Sequence, residues 1–220
     1  SLPKSSQYIG AGEIFGNEDN IVDPLPILEE ISENDYEKME NLSVNNLDFP
    51  ESLKNSICWF ICTLAVQRHK KSLKPVSMLI HTNTNTGVHK TTADAVEKWL
   101  NINKNNLLEE CKKIYNLEKS KLSKEEFLRV MSNYNFDGLH PVNDYPEFDD
   151  IKNEIISILN AEISHITITE KGDLKFHKGI HIVIDNSNNK KGIDENGNFI
   201  RLAYPEKGDV DVASGVIVLG

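Results

Sequence analysis

Short apolar runs that break abruptly into polar residues alternate with amphipathic stretches after residue 51. The clearest run, Val76 to Ile80, is followed by His81, Thr82 and Asn83. This pattern is typical of a buried strand that leads into a polar loop. Similar apolar runs cover residues 180–185 and 215–220, so we expect strands at these positions too. Because a domain rarely stops on a buried strand, we expect the chain to be a fragment of a longer protein.

Apolar residues at helical spacing predict a buried helix over residues 52–70. A second helix is expected over 91–102, and three more between 105 and 160, the last from Asp149 to Leu159. The elements together predict an α/β fold, with a mainly parallel sheet flanked by helices, over residues 51–220. Within it, residues 105–160 are interpreted as a helical insertion.

The acidic charge of the chain is confined to its first quarter. The net charge is −10, and residues 1–51 contain 12 acidic and two basic residues. The remaining residues carry 22 of each sign. We interpret residues 1–50 as an acidic extended or linker segment, which is an unfavourable surface for DNA.

Composition places the chain among globular proteins, with 39% hydrophobic and 26% charged residues. No apolar stretch approaches the roughly 20 residues that span a bilayer, and we expect no membrane partner. The first residues lack the apolar core of a secretion signal. Three cysteines do not form a disulfide framework, so a cytoplasmic location with reduced thiols is expected.

The expected binding site follows the strands, because ligands of open α/β sheets bind outside the carboxyl ends of the strands. Short polar side chains and backbone amides suit phosphate groups, and lysines add attraction. The candidates for nucleic-acid binding are His81, Thr82, Asn83, Asn85, Asn186, Ser187, Lys190 and Lys191. Thr91, Thr92 and the basic run 68–71 are further candidates. The competing interpretation is a solvated surface, with His81 engaged in an ordinary hydrogen bond.

Catalytic chemistry has little support in the sequence. Cys58 and Cys62 have a possible metal spacing, but buried apolar cysteines explain them better, and no metal site is predicted. Asp173 and Asp185 only weakly match a metal-dependent nuclease. The chain contains no Gly-x-x-x-x-Gly-Lys-Ser/Thr run, so we expect no ATP hydrolysis by this chain alone. Its catalytic residues stay unassigned.

The order of these parts resembles the Z1 domain, a family of proposed endonucleases joined to superfamily-two helicase modules in bacterial proteins, some in restriction or defence systems. The matching pieces are Tyr8-Ile9-Gly10 with Phe15, the helix from Glu51 to Arg68, Ser77-Met78-Leu79-Ile80-His81, Asp185-Asn186-Ser187, and Gly215 to Gly220. The resemblance implies part of a second RecA-like helicase lobe. It also implies a parent hydrolase that uses ATP and Mg²⁺, with the phosphate-binding lobe outside this chain.

Two functions are therefore open. In the first, the chain is part of a bacterial ATP-dependent helicase-like protein that processes DNA. It would supply backbone contacts and part of an interlobe ATP site, bind DNA weakly alone, and pair with the remaining lobes of the same polypeptide. In the second, it is a non-enzymatic interaction module that docks a partner through its acidic N-terminal segment.

Overall fold

The computed structural model describes residues 29–71, 76–81, 86–121, 123–125, 128, 145–161, 168–169, 174–176, 180–185, 192–194, 199–200 and 215–218. The helices in this part are α1 (Glu33–Glu40), α2 (Glu51–His69), α3 (Thr86–Asn103), α4 (Leu107–Lys121) and α5 (Phe148–Ala161). The strands are β1 (Val76–His81), β2 (Ile168–Thr169), β3 (Leu174–Phe176), β4 (Ile180–Asp185), β5 (Gly192–Asp194), β6 (Phe199–Ile200) and β7 (Gly215–Val218).

Helix α2 forms where the apolar periodicity predicts it. Pro50 precedes its first residue, where the missing N–H of proline costs no hydrogen bond. Its inward face buries Leu53, Ile57, Phe60, Ile61, Leu64 and Ala65, together with two cysteines. The predicted helix over residues 52–70 is thus confirmed to within one residue at each end.

The described core is formed mainly by helices packing on helices. Helix α2 packs against α5, whose Ile151, Ile155 and Ile158 are buried. Tyr115 of α4 is fully buried, and its ring centroid lies 6.0 Å from those of Trp59 and Phe148. Residues interpreted as an insertion therefore supply core side chains.

The strands are short and form two sheets in the described residues. The first has the order β2-β4-β1-β7, and all its pairings are parallel. In β1, Met78 lies opposite Ile182 of β4 and Gly215 of β7. The second sheet has the order β3-β5-β6, with β3 parallel and β6 antiparallel to β5.

The predicted fold class, an α/β fold organised by a mainly parallel sheet, is wrong. The described residues are mostly helical, and all five helices bury apolar side chains. Met78 and Ile80 of β1 are buried as well. That prediction gave short apolar runs the same weight as helices, whereas the described strands are two to six residues long and the helices eight to 19. The RecA-like interpretation is withdrawn together with the fold class.

The chain divides into two compact units. One comprises residues 1–31 and 116–146, and the other comprises residues 32–115 and 147–220. In the first unit, Lys121 forms ion pairs with Glu29 and with Glu118, the latter at 2.7 Å between nitrogen and oxygen. In the second unit, Met39, Leu42 and Pro50 are buried, so part of the predicted linker belongs to a packed structure. None of the described helices is long and apolar enough to cross a membrane.

Candidate functional site

The carboxyl ends of β1, β4 and β2 lie at one edge of the four-stranded sheet, because these strands run parallel. Ile80 pairs with Ile184, and His81 pairs with Val218 at the end of β7. Thr169, the last residue of β2, pairs with Asp185, the last residue of β4. Neighbouring strands are about 4.8 Å apart, so the backbones that end at His81 and Asp185 are close. We call this set of strand ends the strand-end edge.

Of the predicted nucleic-acid-binding residues, one lies at the strand-end edge in the described part of the structure. His81 is the last residue of β1, and its backbone lies at the strand-end edge. The other candidates, Thr82, Asn83, Asn85, Asn186, Ser187, Lys190 and Lys191, lie outside the described residues. In sequence, however, Thr82 directly follows β1 and Asn186 directly follows β4.

Thr91 and Thr92 do not occupy the predicted helix start. Helix α3 begins at Thr86 rather than at Thr91, so both threonines lie beyond its first turn. Only the first four amides of a helix lack an intrahelical acceptor. Thr92 is also 1% exposed. These two residues are therefore unsuited to bind phosphate through free helix-start amides.

The basic run at residues 68–71 forms the end of α2 and the turn after it. His69, Lys70 and Lys71 are exposed, and Lys71 adopts a left-handed backbone with φ of 62°. Its amide donates to the carbonyl of Arg68 at 2.8 Å, which closes the helix. This basic turn precedes the amino end of β1, whereas the strand-end edge lies at the other end of that strand.

The three cysteines meet in the core, an arrangement that was not predicted from the sequence. Cys58 and Cys62 lie one turn apart on α2, and all three cysteines are fully buried. The Cys62 thiol donates to the Cys111 carbonyl at 3.5 Å, and the Cys111 thiol donates to the Cys58 carbonyl at 3.7 Å. The sequence contained one signal for this burial: Cys111 lies among the apolar residues that recur at helical spacing in α4.

The thiols of Cys58 and Cys111 are held in their neutral form. A hydrogen bond with Cys111, together with burial, raises the pKa of Cys58 far above its ordinary value. The contact with Cys58 acts to lower the pKa of Cys111, but the contact with Cys62 and burial outweigh it. Because the thiolate is the reactive and metal-binding form, the cluster is suited to packing. Among the described residues, no group of three or more potential ligands could hold a metal ion.

A distant carboxylate caps helix α2. Pro50 occupies the N-cap position and has no side chain that can accept a hydrogen bond. Asp35 of α1 takes this role, accepting the amide N–H of Ser52 at 2.8 Å and that of Glu51 at 3.2 Å. Burial acts to raise the pKa of Asp35, but these hydrogen bonds and the charge of Lys38 outweigh it and lower the pKa. Its oxygens therefore stay ionised against the positive end of the helix dipole.

A shallow concavity of about 390 Å³ lies on α3. Its lining residues are Asp94, Glu97, Lys98, Asn101 and Ile102. Lys98 donates to the backbone carbonyl of Val44 at 2.8 Å, and Asp94 pairs with Lys90 at 3.3 Å. Two of the charged groups in this concavity thus have partners within the chain, and it coincides with none of the predicted binding residues.

Comparison with known proteins identifies the family. A family model described as the Z1 domain matches residues 52–220, and the chain therefore belongs to the Z1 domain family. The resemblance noted in the sequence is confirmed at this level. No curated protein and no solved structure matches the chain.

Proposed function

We propose that this member of the Z1 domain family contributes nucleic-acid backbone contacts to a larger ATP-dependent, helicase-like protein that processes DNA. ATP and Mg²⁺ belong, in this proposal, to the parent protein. The observation that carries the proposal is the strand-end edge, where β1 and β4 end side by side. The residues that follow these strands in sequence are rich in hydroxyl, amide and ammonium groups.

The chemistry of these residues favours phosphate over bases. Thr82, Asn83 and Ser187 can donate hydrogen bonds to phosphate oxygens, and Lys190 and Lys191 can neutralise phosphate charge. Such contacts position a protein on a nucleic acid without reading its sequence. We therefore expect binding with little preference for sequence and with a clear dependence on salt.

The acidic residues of the segment 32–50 do not oppose this proposal strongly. Residues 32–50 contain five acidic residues and one basic residue, and they contact α3 at Lys98 and Trp99. The first of these contacts lies 12 residues beyond the start of α3, which is about 18 Å along a helix. The Debye length is about 8 Å at physiological salt, so a charge held near Lys98 is largely screened at the start of α3, the helix that follows β1 in sequence.

The test is DNA binding by the parent protein, measured by fluorescence anisotropy over a range of salt concentrations. The double variant Lys190→Ala/Lys191→Ala should lower the slope of log affinity against log salt by about 0.7–0.9 for each phosphate that is no longer neutralised. Thr82→Ala/Asn83→Ala should weaken binding to the same extent for all DNA sequences. Lys70→Ala/Lys71→Ala removes the same charge from the turn before β1, and should leave the slope unchanged.

Two outcomes contradict the proposal. If both strand-end variants fold and bind like the wild type at every salt concentration, these residues are structural, and the interaction-module function is favoured. If the Lys70→Ala/Lys71→Ala variant changes the slope as much as the Lys190→Ala/Lys191→Ala variant, binding is not specific to the strand-end edge.

A further inference from the structure

Residues 32–50 precede the part of the chain that the family model matches, yet they make specific contacts with it. Their contacts begin at Asp35, whose carboxylate accepts the amides of Glu51 and Ser52 at the start of α2. Asp35 is 7% exposed although it is ionised. Removing a buried acceptor would leave two helix-start amides without this partner.

The same segment also contacts α3. The ring of Phe49 stacks on Trp99 with centroids 4.3 Å apart and planes inclined by 12°. The Lys98 ammonium donates to the Val44 carbonyl at 2.8 Å. Stacked rings and a charge-assisted hydrogen bond thus connect the segment to α3, whereas Asp35 connects it to α2.

The segment is also ordered internally. Ser32 caps α1 by accepting the amide of Asp35 at 3.2 Å, and Ser43 and Asn46 exchange backbone hydrogen bonds at 3.0 and 3.1 Å. Met39 and Leu42 are buried, at 5% and 3% exposure. A solvated linker would leave these two side chains exposed to water, so the segment is packed.

We propose that residues 32–50 are a strap that folds as one unit against the family domain and joins the start of α2 to the C-terminal half of α3. The strap opens and closes cooperatively, so breaking one of its contacts with α2 or α3 loosens the others. The structural domain of this chain accordingly begins at about residue 32, and not at residue 52 where the family match begins.

Hydrogen exchange of the complete 220-residue chain tests the strap, because the amides of Glu51 and Ser52 report on its closure. Asp35→Ala keeps a strong helix former in α1 and should accelerate exchange at both amides about tenfold or more. Asp48→Ala is the matched control: Asp48 is an exposed carboxylate of the same segment that pairs with Lys38 at 2.9 Å. It should leave both rates within about twofold.

The cooperative part of the proposal is tested by Phe49→Leu, which leaves the Asp35 cap intact. If the strap is one unit, this variant should accelerate exchange at Ser52 and at Asn46 by similar factors. If exchange at Ser52 is unchanged in Phe49→Leu, the contacts are independent and the strap proposal is wrong. Unchanged exchange at Ser52 in Asp35→Ala would overturn it equally. Should Asp35→Ala fail to fold, the Phe49→Leu result alone decides the question.

Discussion

Raising the pH from 7.5 to 10 should destabilise this chain through its buried thiols. The folded state keeps Cys58 and Cys111 protonated, because hydrogen bonding and burial raise the pKa of both groups well above 9.0. In the unfolded chain the same thiols ionise near their ordinary value. Well below pH 9 the folded and unfolded states bind the same number of thiol protons, so the thiols do not make stability depend on pH. Above pH 9 the unfolded chain loses these protons while the folded chain keeps them, and the free energy of unfolding falls.

The size of the effect does not depend on how far the folded pKa is raised. One pH unit above the ordinary value, each thiol lowers the free energy of unfolding by about 1.4 kcal/mol. The two thiols together lower it by about 2.8 kcal/mol at pH 10. This is a large part of the roughly 5–15 kcal/mol that is typical of a folded domain.

Urea unfolding followed by circular dichroism, with reductant present, measures this difference at pH 7.5 and pH 10. The double variant Cys58→Ala/Cys111→Ala should be less stable at pH 7.5, but should lose about 2.8 kcal/mol less on going to pH 10. Ile155→Ala is the control, because it removes buried apolar volume from α5 and keeps all three thiols, so it should lose as much stability as the wild type between pH 7.5 and pH 10. Measurements stop at pH 10, since burial raises the pKa of Tyr145 and its ionisation would add to the effect at higher pH.

An equal loss of stability in the double variant and the wild type between pH 7.5 and pH 10 would contradict this prediction. That result would mean that the thiols are exposed to water or already ionised in the folded state. An unchanged stability of the wild type over this range would refute it as well.

The helix cap and the core can each be tested by one substitution and its control. Asp35→Ala should lower the free energy of unfolding by about 1–3 kcal/mol at pH 7, whereas Asp48→Ala should change it by less than about 1 kcal/mol. The pKa of Asp35 is lowered in the folded state, so its carboxylate stabilises the fold above the ordinary value of 3.8. This stabilisation is lost as the pH falls through the folded pKa. In urea unfolding, the difference between Asp35→Ala and the wild type should therefore shrink below pH 3.8. Ile155 is fully buried on α5, and Ile155→Ala should lower the free energy of unfolding by about 2–5 kcal/mol. Ile102 is 62% exposed, and Ile102→Ala should change that free energy by no more than about 0.5 kcal/mol. Thermal or urea unfolding distinguishes the two variants.

Helices with a strong apolar periodicity are predictable from the sequence alone. The spacing from Leu53 to Ala65 predicts α2, and the spacing from Ile151 to Leu159 predicts α5. In both cases one face of the helix is apolar and must be buried, and this pattern is visible within a few helical turns of sequence. The start of α3 was missed because residues 86–90 carry little apolar pattern, and the error misassigned Thr91 and Thr92.

Which of these faces meet is determined by tertiary packing and has no counterpart in the local sequence. Cys111 joins Cys58 across 53 residues of chain, and Asp35 caps a helix that starts 16 residues later. Neither contact has a local signature, because a thiol or a carboxylate looks the same in sequence whatever its partner. The same limit applies to the fold class: apolar runs predict strands and periodic stretches predict helices, but long-range packing decides which of them dominates the described fold.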